Sequence, residues 1–93
     1  MSRESAFTFK VTGRVQGVGF RAFVYTTARQ LQLCGWVKNH VDGSVIGLVQ
    51  GDSGLVNDFF KLLHIGNRWS SVSSLDQLPI PPDQGLSTFE IRY

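Results

Sequence analysis

The residues from Gly13 to Arg21 read G-R-V-Q-G-V-G-F-R, three glycines and two arginines placed just ahead of a run with helical spacing. Glycines let the backbone turn tightly and come close to a ligand. The first N–H groups of a helix have no partners inside it, and the helix dipole adds partial positive charge at that end. A curled run of such amides is an anion nest, and tetrahedral phosphate fits it. Arg21 falls in the first turn, where a cation works against the dipole by about 0.3–1 kcal/mol. Two readings of it are open. Its head group reaches out to solvent along the helix surface, or guanidinium and amides face one anion, the planar fork holding two phosphate oxygens.

Two other phosphate motifs fail. No G-K-[ST] is present, so the loop is not of the Walker A type. Gly17-Val18-Gly19-Phe20-Arg21-Ala22 does match G-x-G-x-x-A, and Asp42 follows at about the right distance for a dinucleotide site. Asp42 belongs to a hairpin turn, however, and 93 residues cannot supply a doubly wound sheet.

The elements that must hold this loop are legible from period and punctuation. Phe7, Phe9 and Val11 alternate with Thr8, Lys10 and Thr12, which predicts a half-buried strand. Phe20, Phe23, Val24, Thr27, Ala28 and Leu31 recur at helical spacing, so a helix is expected over residues 20–33 with Gly35 as its stop. Trp36–Asn39 and Ser44–Gln50 read as strands joined through Asp42-Gly43, a tight-turn pair. Asp52 and Ser53 are candidate caps for a second helix with the stripe Leu55, Val56, Phe59, Leu62 and Leu63, ended by Gly66. A weaker strand is expected within Ser70–Leu78. Pro79, Pro81 and Pro82 exclude regular pairing beyond it, and Phe89–Tyr93 closes the chain as a short strand. The order β-α-β-β-α-β with one short β appended implies an α+β, ferredoxin-like fold: an antiparallel sheet with two helices on one face and the other face open.

This order also places Asn39. Strand one rises to the glycine loop, helix one descends, and strand two rises again, so a right-handed crossover makes the two strands parallel. Asn39 therefore ends at the same sheet edge as the loop. It shares a face with Val37, so if Val37 meets the helices, Asn39 points towards the start of helix one. An asparagine there could cap the hairpin turn. Beside a bound phosphate it could hold a water, its carbonyl accepting from the water and its NH₂ donating elsewhere.

Composition narrows the field. Ninety-three residues, 42% of them hydrophobic, read as one globular domain over residues 1–93. A net charge of +2 is far short of a nucleic-acid-binding stripe. Ser44–Gln50 carries none of the aromatic residues on which an RNA-binding sheet stacks bases. Cys34 is the single cysteine, so no intrachain disulfide can form, and it reads as a small buried residue. No apolar run resembles a signal peptide or approaches the about 20 residues of a membrane span, which predicts a cytoplasmic protein. His40 reads as a solvent-facing hairpin residue, His64 as a favourable charge at a helix C-terminus, and Trp69 as core or rim.

Gly13–Arg21 resembles the first signature of the acylphosphatase family throughout. Gly35–Val45, G-W-V-K-N-H-V-D-G-S-V, is similar to the second, and Phe89-Glu90-Ile91 resembles the family's F-x-I ending. Ala22-Phe23-Val24 is also similar to the branch carried inside larger hydrogenase maturation proteins. The Gly66-Asn67-Arg68-Trp69 segment keeps the family's glycine and otherwise departs from its pattern. The resemblance implies a ferredoxin-like fold and hydrolysis of acyl phosphates to carboxylate and inorganic phosphate, with the latter also inhibiting. It implies that the amides of Gln16, Gly17, Val18, Gly19, Phe20 and Arg21 bind phosphate together with the Arg21 side chain. Asn39 would position the attacking water. No metal, cofactor, nucleic acid or membrane is expected, and a monomer is.

Overall fold

Eleven residues, Glu4–Arg14, form the first strand, β1, in the computed structural model, which describes residues 3–93. Phe9 and Val11 are buried while Lys10 between them is exposed, as the alternation predicts. A loop leads to helix α1, Phe20–Gln30. Strands β2 (Cys34–Asn39) and β3 (Val45–Asp52) form a hairpin, and helix α2 (Ser53–Ile65) precedes β4 (Ser71–Ile80) and β5 (Phe89–Arg92). The five strands lie in the order β4-β1-β3-β2-β5. Because β1 and β2 both run antiparallel to β3 between them, they are parallel to each other. The sheet is mixed rather than wholly antiparallel, since β5 pairs parallel to β2.

The core lies between the sheet and the helices. From the strands it takes Phe9, Val11, Val37, Val45, Val49 and Phe89, and from the helices Phe20, Val24, Val56, Phe59 and Leu63. Phe59 is the hub: its ring meets Phe9 at 5.6 Å, Phe60 at 5.3 Å and Phe89 at 6.3 Å, edge-on or tilted. Phe60 completes the buried stripe at positions 56, 59, 60 and 63, whereas Leu62, expected inside, is 41% exposed. At 3.6 residues per turn, position 62 has rotated past the core edge.

Several boundaries differ from expectation for local reasons. Helix α1 stops at Gln30, and Gln32 rather than Gly35 takes the left-handed conformation, with φ 57°. The N–H of Leu33 donates to Ala28 and that of Gln32 to Arg29, a Schellman closure. Gly35 lies within β2 at φ 138°, where a Cβ would come 1.9 Å from the Leu48 carbonyl oxygen. Its glycine serves strand packing, not helix termination. Asp52 caps α2 through its carboxylate, which accepts from the Leu55 N–H at 3.2 Å, and Gly66 ends the helix at φ 75°. Pro79 stands opposite Phe7 inside β4. Pairing survives there because β4 is an edge strand, where a residue without an N–H can face outwards.

The segment after β4 is tied back to the sheet by one side chain. Gln50 donates from Nε2 to the Asp83 carbonyl at 2.9 Å and accepts from the Asp83 N–H at 2.8 Å. Its amide thus substitutes for a strand partner, and the buried Gln50 leaves no polar atom unpaired.

Candidate active site

The loop joining β1 to α1 is pinned by side chains at both ends. Val15 and Phe20 are each 1% exposed, so the two ends are drawn into the core and the backbone between them is pushed outwards. Gly17 and Gly19 both take φ 74°, a left-handed conformation that lets successive amides curl to one side. Residues 16–19 form bends with no hydrogen-bonded turn, and their N–H groups donate to no acceptor among the described residues. Gly13 plays a different part: at φ 121° it sits at a register shift of β1 against β4, where a Cβ would lie 2.2 Å from the Ser71 carbonyl oxygen.

Two amide side chains brace this loop. Gln16 donates from Nε2 to the carbonyls of His40 at 2.7 Å and Ser44 at 2.9 Å, fastening the loop to the β2–β3 hairpin. Asn67, from the α2–β4 connection, donates from Nδ2 to the Val18 carbonyl at 2.9 Å. Each bond occupies a carbonyl oxygen, and the Asn67 bond holds the Val18 carbonyl towards α2. Asn67 escaped the sequence reading because its only signal was a departure from the family pattern.

Arg21 opens the first turn of α1, which contains no acidic residue. Its Nη1 donates to the Arg92 carbonyl at 3.1 Å, and its guanidinium carbon stands 4.7 Å from the centre of the Tyr93 ring. With five N–H donors and one committed to Arg92, the fork retains donors for an anion. Asn39, the last residue of β2, lies on the helix-facing side with the fully buried Val37. Its Oδ1 is buried without a hydrogen-bond partner. A buried acceptor left bare costs roughly 1–3 kcal/mol, so such atoms mark strain or a ligand position.

These groups meet in one cleft of about 200 Å³ lined by Val15, Gly17, Gly19, Phe20, Arg21, Asn39 and Tyr93. That is below the roughly 300–1,000 Å³ of sites that enclose drug-sized ligands. Of the residues singled out in the sequence, Gly17, Gly19, Phe20, Arg21 and Asn39 line the cleft. The side chain of Gln16 turns away to the hairpin, and Val18 faces a second groove on the other side of the loop. Ile91 of β5 and Tyr93, the residue after that strand, were not foreseen as lining; the parallel pairing of β5 beside β2 puts Ile91 there.

The hairpin that carries Asn39 is closed by an ion pair. Asp42 meets Lys10 Nζ at 2.8 Å and accepts from the Ser44 N–H at 2.9 Å and the Ser44 hydroxyl at 2.5 Å. The hydrogen bond from Lys10, then those from Ser44, hold its carboxyl well below the usual carboxylate range. His40 is exposed, and its Nδ1 faces the Asp42 N–H at 3.3 Å.

The acylphosphatase family profile matches residues 7–91. The chain is 43% identical over 88 residues to an acylphosphatase of a Nocardioides species, covering 95% of this chain and 88% of that one. It is 48% identical over 84 residues to an acylphosphatase of Bifidobacterium longum, covering 88% and 86% of the two chains. The crystal structure of acylphosphatase from Bacillus subtilis superposes with a TM-score of 0.92 at 36% identity, over 96% of this chain and 99% of that one. With the profile spanning nearly all of its sequence and the fold shared over 96% of it, the chain belongs to the acylphosphatase family.

Proposed function

We propose that the chain hydrolyses acyl phosphates at the cleft between the β1–α1 loop and the end of β2. The observation that carries the reading is the convergence of unpaired loop amides, the Arg21 guanidinium and the bare Asn39 Oδ1 on one small cleft. In this reading the amides of residues 16–20 and the Arg21 fork hold the three non-bridging oxygens of the phosphoryl group. Asn39 Oδ1 accepts a hydrogen bond from a water and aims its oxygen at phosphorus, opposite the acyl oxygen. A P–O bond forms to the water as the bond to the acyl oxygen breaks. The carboxylate departs with the bonding pair, and the water's proton passes to a phosphoryl oxygen. Carboxylate is a good leaving group, so positioning and charge stabilisation suffice without a side-chain base.

The reading includes a cytoplasmic monomer that needs no metal or cofactor. The apolar stripes of both helices are covered by the chain's own sheet, which supports the monomer. The test is turnover of acetyl phosphate and benzoyl phosphate in excess chelator, with inorganic phosphate as competitor. Release of phosphate at an undiminished rate under chelation is the expected result. No turnover of either compound would overturn the proposal.

A further inference from the structure

On the far side of the loop from Asn39 lies a second groove of about 740 Å³, lined by Arg14, Gly17, Val18, Arg68, Trp69 and Ser70. Gly17 lines both spaces, so the cleft and the groove adjoin at the loop. Gly17 itself carries no side chain, and a Cβ built there would meet open space. The groove is basic: Arg14 and Arg68 are exposed, and neither pairs with a carboxylate among the described residues. The Arg68 guanidinium lies over the Trp69 ring at 5.0 Å, and Trp69 is 65% exposed. Such stacking orients a guanidinium while leaving its N–H edge free.

The wall is fixed rather than loose. The N–H of Asn67 donates to Ser70 Oγ at 2.9 Å, the Ser70 N–H returns to the Asn67 carbonyl at 3.2 Å, and Asn67 Nδ2 grips Val18. The connection bearing Arg68 and Trp69 is therefore locked to the phosphate loop itself.

We infer that this groove is the acyl-group subsite and that it selects acyl phosphates whose acyl portion carries a second anionic group, held by Arg68 and Arg14 and packed along Trp69. The inference rests on the proposed hydrolysis and adds to it the class of substrate. The matched probes are 4-carboxybenzoyl phosphate and 4-carbamoylbenzoyl phosphate, which have the same shape and differ in one charge. The expected ratio of kcat/KM favours the carboxylate by about 2- to 30-fold, the range of two solvent-exposed ion pairs. Arg68→Ala and the Arg14→Ala/Arg68→Ala double variant should bring the ratio towards one. Arg29→Ala, which removes the same charge at the end of α1, should keep it. A wild-type ratio at or below one overturns the inference, as does a ratio that survives the double variant or collapses equally in Arg29→Ala. If benzoyl phosphate is hydrolysed while the ratio is one, only the subsite fails. If none of the three compounds is hydrolysed, the underlying reading fails with it.

Discussion

Arg21 is tethered where the Asn39 Oδ1 is bare, and in the proposed reaction their roles separate accordingly. Arg21 is oriented by the Arg92 carbonyl and the Tyr93 ring, both from the chain's end, in the one helical turn where its charge is least welcome. An anion in the cleft relieves that repulsion in the ground state and the transition state alike. Arg21→Ala should therefore raise the inhibition constant for phosphate and lower kcat/KM by about 10²–10³-fold, as loss of a donor to a reacting oxygen does elsewhere. In the proposed reaction Asn39 meets the water rather than the phosphoryl group. Asn39→Ala should lower kcat by about 10²-fold and leave phosphate inhibition nearly as it is, the cost of a misplaced nucleophile. Steady-state rates with phosphate titrations on both variants check the assignment. Equal loss of phosphate affinity in the two would merge the roles.

At the scale of elements, the site is a junction of three connections, β1–α1, β2–β3 and α2–β4, and their bracing decides its shape. The β2–β3 turn is braced by Asp42, whose pairing with Lys10 and Ser44 makes an acid prediction. A carboxyl depressed in the folded state contributes stability that is present above its unfolded value of about 3.9 and is lost as pH falls through the folded one. Urea midpoints measured from pH 6 downwards should fall less steeply for Asp42→Asn than for the wild type. Parallel curves would remove Asp42 from the linkage. Much of this scale could be read in advance: alternation gave β1, Asp42-Gly43 the hairpin, and Asp52 and Gly66 the ends of α2. Strand parity and the crossover brought Asn39 beside Arg21 in one cleft. What stayed hidden depends on contacts distant in sequence. Gly35 looks like a helix stop until Leu48 is beside it, and Pro79 looks like a break until β4 proves to be an edge. Likewise, Asn67 reaches Val18 across 49 positions, which no local pattern encodes.

Across the whole molecule, the β1–α1 loop is joined to almost every part of the fold. Val15 and Phe20 anchor it in the core, Gln16 ties it to the hairpin, and Asn67 ties it to the connection after α2. Arg21 ties the adjoining helix to the chain's end. A ligand that satisfies the loop amides therefore binds only the assembled chain, because the unfolded chain has no nest to offer. Binding then raises stability by mass action, about 1.4 kcal/mol at ten times the dissociation constant. For a domain of 60–100 residues each kcal/mol moves the midpoint by about 4–8 °C, so inorganic phosphate at that level should raise Tm by roughly 5–11 °C. Calorimetry against chloride at matched ionic strength isolates the specific part from screening. Arg21→Ala should abolish most of the shift at the same phosphate concentration, while Asn39→Ala should retain it, since the water holder is not proposed to touch phosphate. An equal shift in wild type and Arg21→Ala would place the anion somewhere other than this loop.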